Sequence, residues 1–355
     1  MQAATHTQEK SFFSQISRQS WILTAALVLI FMVLPLGIKN VYYVQVLVLM
    51  LLYAFAAMAW NIVGGIAGQI SFGHGIFFGA GAYTSTILFR DLGLSPWIGM
   101  FVGAAIAIFF AILVGWPCFR LRGAYFSLAT LALQEIMRSV VNNTNELWGI
   151  DFRGSRGIIL PPVGHSPLLF QFENKLYFYY IFLAFLLLEV LVVFLLKRGK
   201  FGLYLAAIKN NEDSAAVLGV NASRMKLYAL MISAFFTSLA GTFYVQLIHF
   251  VDPEIAFGPL ALTFIFFAIC GGPTYLFGPI VGTLALMPIA EFTRAALAGK
   301  ATGIHLVIYG IILMLVMLYM PKGLLHVIQN TYNKLLHGKG TPPSAVEPET
   351  QEAKN

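Results

Sequence analysis

Residues Val41-Tyr-Tyr-Val-Gln-Val-Leu-Val-Leu-Met-Leu-Leu-Tyr-Ala-Phe-Ala-Ala-Met-Ala-Trp-Asn-Ile-Val63 run for 23 positions without a charged side chain. An α-helix rises 1.5 Å per residue and the hydrocarbon core of a bilayer is about 30 Å thick, so roughly 20 apolar residues in a row span it. The pattern recurs on both sides of this stretch. Apolar segments fall at 20–37, 41–63, 72–89, 97–118, 123–141, 176–196, 226–249, 257–271, 275–297 and 303–320. Those at 72–89, 123–141 and 257–271 are short or interrupted by glycine and polar residues. Broken helices are tolerated at membrane depth only where they are buried in protein or line a water-filled cavity. The expected fold is an all-α polytopic integral membrane protein with about 8–10 transmembrane helices, some of them discontinuous.

Composition agrees. Of 355 residues, 59% are hydrophobic and 10% charged, against about 25% charged in an average soluble domain, and the mean hydropathy is +0.79. Too little polar surface remains to clothe a water-soluble body. The net charge of +7 does not point to nucleic acid, because the basic residues are dispersed between apolar segments, where cations mark the cytoplasmic side and meet anionic lipid headgroups. Cys118 and Cys270 are isolated in apolar stretches and read as small core residues. Neither they nor His74 have partners at metal-ligand spacing, and no cofactor is expected.

Basic residues also set the orientation. With both termini in the cytoplasm and ten spans, Lys10, Arg18, Arg120, Arg122, Lys197, Arg198, Lys200, Lys209, Arg224 and Lys226 fall inside with the lysines beyond 320, against Lys39, Arg90, Arg138, Arg153, Arg156, Lys175 and Lys300 outside. That excess is the one required by the positive-inside rule. The apolar run from Trp21 to Gly37 lacks a signal-cleavage pattern and reads as a retained first helix. The chain divides into a cytoplasmic segment 1–19, a transmembrane domain 20–325 and a partly disordered cytoplasmic tail 326–355. An outer loop at 142–175 offers a surface to a soluble partner, and an inner loop spans 197–225.

The inner loop contains Lys209-Asn210-Asn211-Glu212-Asp213-Ser-Ala-Ala216-Val-Leu-Gly219. Asn211 is a good N-cap, Glu212 and Asp213 complement the helix dipole in the first turn, and Gly219 is a natural stop. This predicts a short amphipathic helix across the cytoplasmic mouth, either an ordinary interfacial helix or a lever gripped by a partner. Polar residues inside apolar segments are costly and face the bundle interior or a path. Asn61, Gln69, Ser71 and His74 cluster around Gly64–Gly75, where a hinge is expected; Thr130 with Gln134, and Gln246 with His249, obey the same logic. Each lines a path or makes interhelical hydrogen bonds. Glu135 with Arg138, and Glu291 with Arg294, share helix faces at i,i+3 and are either intrahelical pairs or parts of an outer gate. Glu189 stands alone in an apolar helix and is expected to face another subunit. Glycines four apart, at 64/68, 75/79, 99/103 and 278/282, would let helix backbones approach closely.

Several blocks in order carry a resemblance. They are Gly68-Gln-Ile-Ser-Phe-Gly-His-Gly-Ile-Phe-Phe-Gly-Ala-Gly-Ala-Tyr83, Arg120-Leu-Arg-Gly-Ala-Tyr-Phe-Ser-Leu-Ala-Thr130, Ala207-Ile-Lys-Asn-Asn-Glu212 with Leu218-Gly219, Ser238-Leu-Ala-Gly-Thr242, Gly271-Gly272, Phe277-Gly-Pro-Ile-Val-Gly282 and Pro321-Lys-Gly-Leu324. The chain resembles the LivH/LivM-type permease subunits of branched-chain amino acid ABC importers, the LivM half more closely. The resemblance implies an ABC importer permease-like fold in a bacterial inner membrane. It also implies a sister permease, two cytoplasmic ABC ATPases, a periplasmic substrate-binding protein and an ATPase-coupling role for the inner loop. The outer-loop stretch Arg153-Gly-Ser-Arg-Gly157 departs from the family pattern. No G-x-x-x-x-G-K-[ST] phosphate loop is present, so an ATP-driven machine would need its ATPase on another chain. Relatives moving urea, amides or small organic acids would look similar. An ion-coupled secondary transporter needs a free intramembrane carboxylate, which leaves Glu189. No Ser/His, paired-Asp or H-E-x-x-H constellation suggests an intramembrane enzyme.

Overall fold

A computed structural model describes residues 29–337 except 30, 148, 161–163, 165, 298–303 and 321. The expected segment 1–19, residues 338–355 of the expected 326–355 tail, and most of the first span lie outside the described residues, while residues 326–337 of that tail are helical. The described residues are mostly helical: α1 (Val41–Asn61), α2 (His74–Leu92), α3 (Pro96–Cys118), α4 (Ala124–Asn143), α5 (Lys175–Arg198), α6 (Lys200–Asn210), α7 (Glu212–Val217), α8 (Ala222–Ile248), α9 (Pro253–Phe257), α10 (Pro259–Gly271), α11 (Gly278–Leu297), α12 (Ile304–Tyr319) and α13 (Leu324–His337). The domain boundary read at 325 falls inside α13.

Side-chain caps start many of these helices. Asn40, Asn174, Asn211, Asn221 and Asp252 each accept an amide of the first turn of the next helix, at 2.7–3.0 Å, satisfying donors that have no intrahelical partner. Asn221-x-Ser223, which has the form of a glycosylation acceptor, is thereby a helix cap.

α1 is buried nearly all round, as a helix apolar on every face must be, and it packs against α5, α8, α10 and α11. α2, α3 and α8 form the other tightly packed unit. A Cβ on Gly81 would lie 2.0 Å from the Ser238 carbonyl, and one on Gly241 would lie 2.0 Å from that of Phe78, so α2 and α8 touch backbone to backbone. Gly103 meets Gly81, and Gly282 meets the Phe267 carbonyl, in the same way. Small residues permit such crossings where lipid offers no hydrophobic drive to associate. Gly64 and Gly68 differ from this expectation: Gly64 accommodates the indole of Trp60, and Gly68 the stem of Lys209.

Among the described residues, six helices are long and apolar enough to cross a membrane, or seven if the pair bent by 53° around Met320–Gly323 is one span. The expected 8–10 spans also include α2 and α4, and the 20–37 segment, which is mostly outside the described residues. α2 and α4, with 19 and 20 residues, have the length of a span without its apolarity. The segments at 72–89 and 123–141, expected to be interrupted, are continuous from His74 and Ala124, with His74, Ser85, Thr86, Thr130 and Gln134 buried. Two breaks are real. α1 runs into a π-helical turn, Ile62–Ile66, and then into irregular backbone as far as Gly73, and α9 is separated from α10 at Gly258.

The 142–175 segment folds over one end of the bundle. Glu146–Leu147 pairs with Ile150–Asp151, and Ile158–Ile159 pairs with Phe250–Val251. Phe170 enters the core against Trp97, Phe178 and Phe243. α6 and α7 lie at the opposite end, because the single helix α5 separates the two loops.

Candidate translocation path and coupling loop

The chain after the π turn folds back under α1. Trp60 donates its indole N–H to the Ser71 carbonyl at 2.7 Å, and Ser71 Oγ accepts the Gly73 amide at 3.3 Å. His74 opens α2 with Nε2 2.8 Å from Ser233 Oγ of α8, and the Ser233 hydroxyl donates to the Ala59 carbonyl at 2.7 Å. With the hydroxyl proton so used, His74 Nε2 is the donor in its bond. Asn61, Ser71 and His74 are thus gathered and fully buried, with the Asn61 side-chain oxygen left unpartnered. Gln69 is half-buried at the edge of the group and bonds through its backbone amide to Val63.

Thr130 and Gln134 face the same turn from α4, and their bonds are structural. Thr130 Oγ1 accepts the Phe72 amide at 3.1 Å, and Gln134 Oε1 accepts the Gly75 amide at 2.8 Å. Ser127, one turn earlier, donates to the Ile70 carbonyl at 2.6 Å. α4 therefore supplies the polar partners that the entry to α2 lacks. Gln246 and His249 lie elsewhere. The Gln246 amide is buried in α8 with neither polar atom partnered among the described residues. His249 caps α8 in left-handed backbone, φ 61°, and its carbonyl accepts the Leu160 amide at 2.9 Å.

At the loop end, α6 and α7 form a bent pair hinged at Asn211. Their charged residues hold them to the bundle. Glu212 accepts Lys226 Nζ at 2.6 Å, and the Lys226 side chain is 1% exposed. Asp213 pairs with Arg122, from the α3–α4 turn, at 2.9 Å on the surface. Lys209 donates to the Gly65 carbonyl at 2.7 Å, and burial pushes its pKa below the usual lysine value. Asn210, Ala216 and Gly219 are exposed, Val217 is 88% exposed and Leu218 80% exposed. The outward face therefore carries apolar Val217 and Leu218 beside the exposed Arg122–Asp213 pair.

The two i,i+3 pairs differ. Among the described residues, Arg294 bonds within α11, to Glu291 at 2.5 Å. Arg138 bonds Glu135 at 2.7 Å and also Glu254 of α9 at 2.6 Å, so it ties two elements together. Glu189, expected to face another subunit, is 0% exposed within this chain, and neither of its oxygens has a partner among the described residues. Ser233, Lys226 and Arg122 are contacts that sequence reading missed. The signal for Lys226 was available: Asn221 starts α8 a turn before the apolar run, which carries Lys226 onto the buried face.

A family model described as "Branched-chain amino acid transport system / permease component" matches residues 42–317. Among curated proteins, the chain is 28% identical over 308 residues to the high-affinity branched-chain amino acid transport system permease protein LivM of Escherichia coli K12, covering 79% of this chain and 69% of that one. It is 26% identical over 294 residues to LivH of the same organism, covering 77% and 91%. It is 25% identical over 286 residues to the probable LivH of Methanocaldococcus jannaschii, covering 75% and 86%. No solved structure matches. A buried helical bundle with two broken spans and a capped helix pair at one end, matched over residues 42–317, belongs to the family of branched-chain amino acid transport system permease components.

Proposed function

We propose that this chain is the permease subunit of an ATP-driven importer that moves branched-chain, aliphatic amino acids across a bacterial inner membrane, both of its termini in the cytoplasm. A sister permease would complete the channel, two cytoplasmic ABC ATPases would drive it, and a periplasmic binding protein would deliver substrate to the 142–175 side. The observation that carries the reading is the α6–α7 pair. It is anchored by Lys226–Glu212 and Arg122–Asp213 yet presents Val217 and Leu218 bare, as a rigid element gripped by a separate motor should. In this reading Asn61, Gln69, Ser71 and His74 line or support the path at the break, and Gln246 and His249 lie nearer the 142–175 end.

Glu189 favours a second reading. A buried carboxyl without a partner among the described residues suits a proton-coupled carrier. One reconstitution separates the two. The chain with its sister permease, ATPases and binding protein should import leucine, isoleucine and valine only when ATP is supplied. Uptake by the chain alone under a proton gradient would overturn the importer reading. Preference for urea, amides or small organic acids would keep the machine and change the substrate.

A further inference from the structure

In a continuous α-helix the Gln69 amide would bond the carbonyl of Gly65. Here the π turn diverts it to Val63 at 3.0 Å, and Ala67 bonds Ile62 at 3.3 Å. The Gly65 carbonyl takes a donor from outside the helix instead, the Lys209 ammonium at 2.7 Å. The lysine stem reaches it across Gly68, which has φ 70°; a Cβ there would lie 2.7 Å from Lys209 Cγ. The same end of the bundle repeats the device. Lys197, at the end of α5, donates to the Thr274 carbonyl at 3.2 Å, in the turn between α10 and α11. This turn also touches the π break, since a Cβ on Gly65 would lie 2.2 Å from the Pro273 carbonyl.

Resting on the importer reading above, we infer that Lys209 is a positioning residue that converts displacement of the α6–α7 pair into a register change at the foot of α1. Lys209 lies two residues before the Asn211 junction, whose amide bonds the Ala207 carbonyl at 3.0 Å and whose carbonyl accepts the Ala215 amide at 3.1 Å, so a pull on Val217 and Leu218 that displaces this junction reaches Lys209 directly. While the ammonium occupies the Gly65 carbonyl, the π turn is satisfied. When it withdraws, that buried acceptor regains a partner only if the Gln69 amide returns to it, which closes the π turn into α-helix. One residue of register rotates the downstream backbone by about 100°, and that backbone carries Gln69, Ser71 and His74. The π turn ends α1, π turns are frequent at functional sites, and two hydrogen-bonding registers of one segment make the bistable element that coupling between sites requires. An ammonium on a flexible stem suits the task, because it bonds a neutral carbonyl reversibly and needs no fixed counter-charge.

The test uses Lys209→Met, which keeps the stem and removes the donor, and Lys209→Arg, which keeps a donor. In the assembled transporter, Lys209→Met should raise the ATP hydrolysed per substrate imported by about tenfold, with Lys209→Arg in between. In the purified chain alone, hydrogen–deuterium exchange of the 62–73 peptide should change several-fold in Lys209→Met and not in Lys39→Met, which lies at the opposite end. Unaltered exchange in that peptide overturns the link itself, whatever transport does. Altered exchange with an unchanged ATP-to-substrate ratio overturns its role in coupling. Loss of the ATPases from the purified complex would make Lys209 a docking residue and overturn the inference. Absence of ATP-driven uptake in the unsubstituted assembly would instead remove the importer reading, and the coupling role with it.

Discussion

Gln134 shows how a polar residue in a membrane helix can be decided between path and scaffold. Its Oε1 holds the Gly75 amide at 2.8 Å, and a buried amide stripped of its acceptor costs about 1–3 kcal/mol. Gln134→Leu should therefore lower the thermal unfolding midpoint of the purified chain while leaving the transporter's substrate preference unchanged; altered preference at undiminished stability would return Gln134 to the path. Lys226 and Glu212 allow a sharper comparison. The lysine side chain is 1% exposed and the glutamate 24%, so removing the glutamate strands a buried cation, whereas removing the lysine leaves a carboxylate that water can reach. Breaking a buried pair by deleting one partner costs about 3–5 kcal/mol. Glu212→Gln should approach that range and Lys226→Met should fall well below it, as read from thermal unfolding in detergent. Equal losses would show that the two charges are solvated alike. The same asymmetry revises the reading of the acidic pair on α7: reversing both charges would damage the anchor before it tested any partner.

At the scale of elements, the helices and their caps were legible in the sequence because apolar runs and Asn or Asp before them act locally. Asn211 caps as its position suggests, and Asn221 and Asp252 do the same at helix starts that were not read as caps. Contacts between elements were not legible. Arg138 is i+3 from Glu135, and local spacing accounts for that pair, but its second partner, Glu254, lies 116 residues away. Likewise nothing local indicates that Thr130 and Gln134 point at the amides of Phe72 and Gly75, or that α4 rather than solvent completes the entry to α2. The π turn was visible only as a Gly-rich interruption; its hydrogen-bond register is a tertiary matter. The Arg138–Glu254 pair joins two packed elements, α4 and α9, and both side chains are partly exposed. Such pairs contribute at most about 1 kcal/mol to stability. Arg138→Glu should accordingly slow uptake more than it lowers the unfolding midpoint, and Arg138→Glu with Glu254→Arg should recover part of the rate. If the double variant is no faster than the single one, the α4–α9 tie is incidental to transport.

For the molecule as a whole, the decisive arrangement is that α5, one span of 24 residues, separates the 142–175 segment from the α6–α7 pair. The two loops must then emerge on opposite faces of the membrane, and the proposed orientation puts the α6–α7 end in the cytoplasm. Lys200, Lys209, Arg224 and Lys226 cluster at the α6–α7 end, and cationic loops stay cytoplasmic. The chain is well suited to a direct test, because Cys118 and Cys270 are both buried and give little background with a membrane-impermeant maleimide. Ser155→Cys, on the exposed turn of the 142–175 segment, should react in intact spheroplasts and be silent in sealed inverted vesicles. Val217→Cys, on the bare face of α7, should do the reverse. Labelling of both from one side would break the fold described here, since α5 could not then be a single crossing. Labelling from opposite sides with the signs exchanged would leave the fold intact and invert its orientation. That result would remove the α6–α7 pair from the reach of any cytoplasmic motor, and the assignment of Val217 and Leu218 as its grip would fall with it.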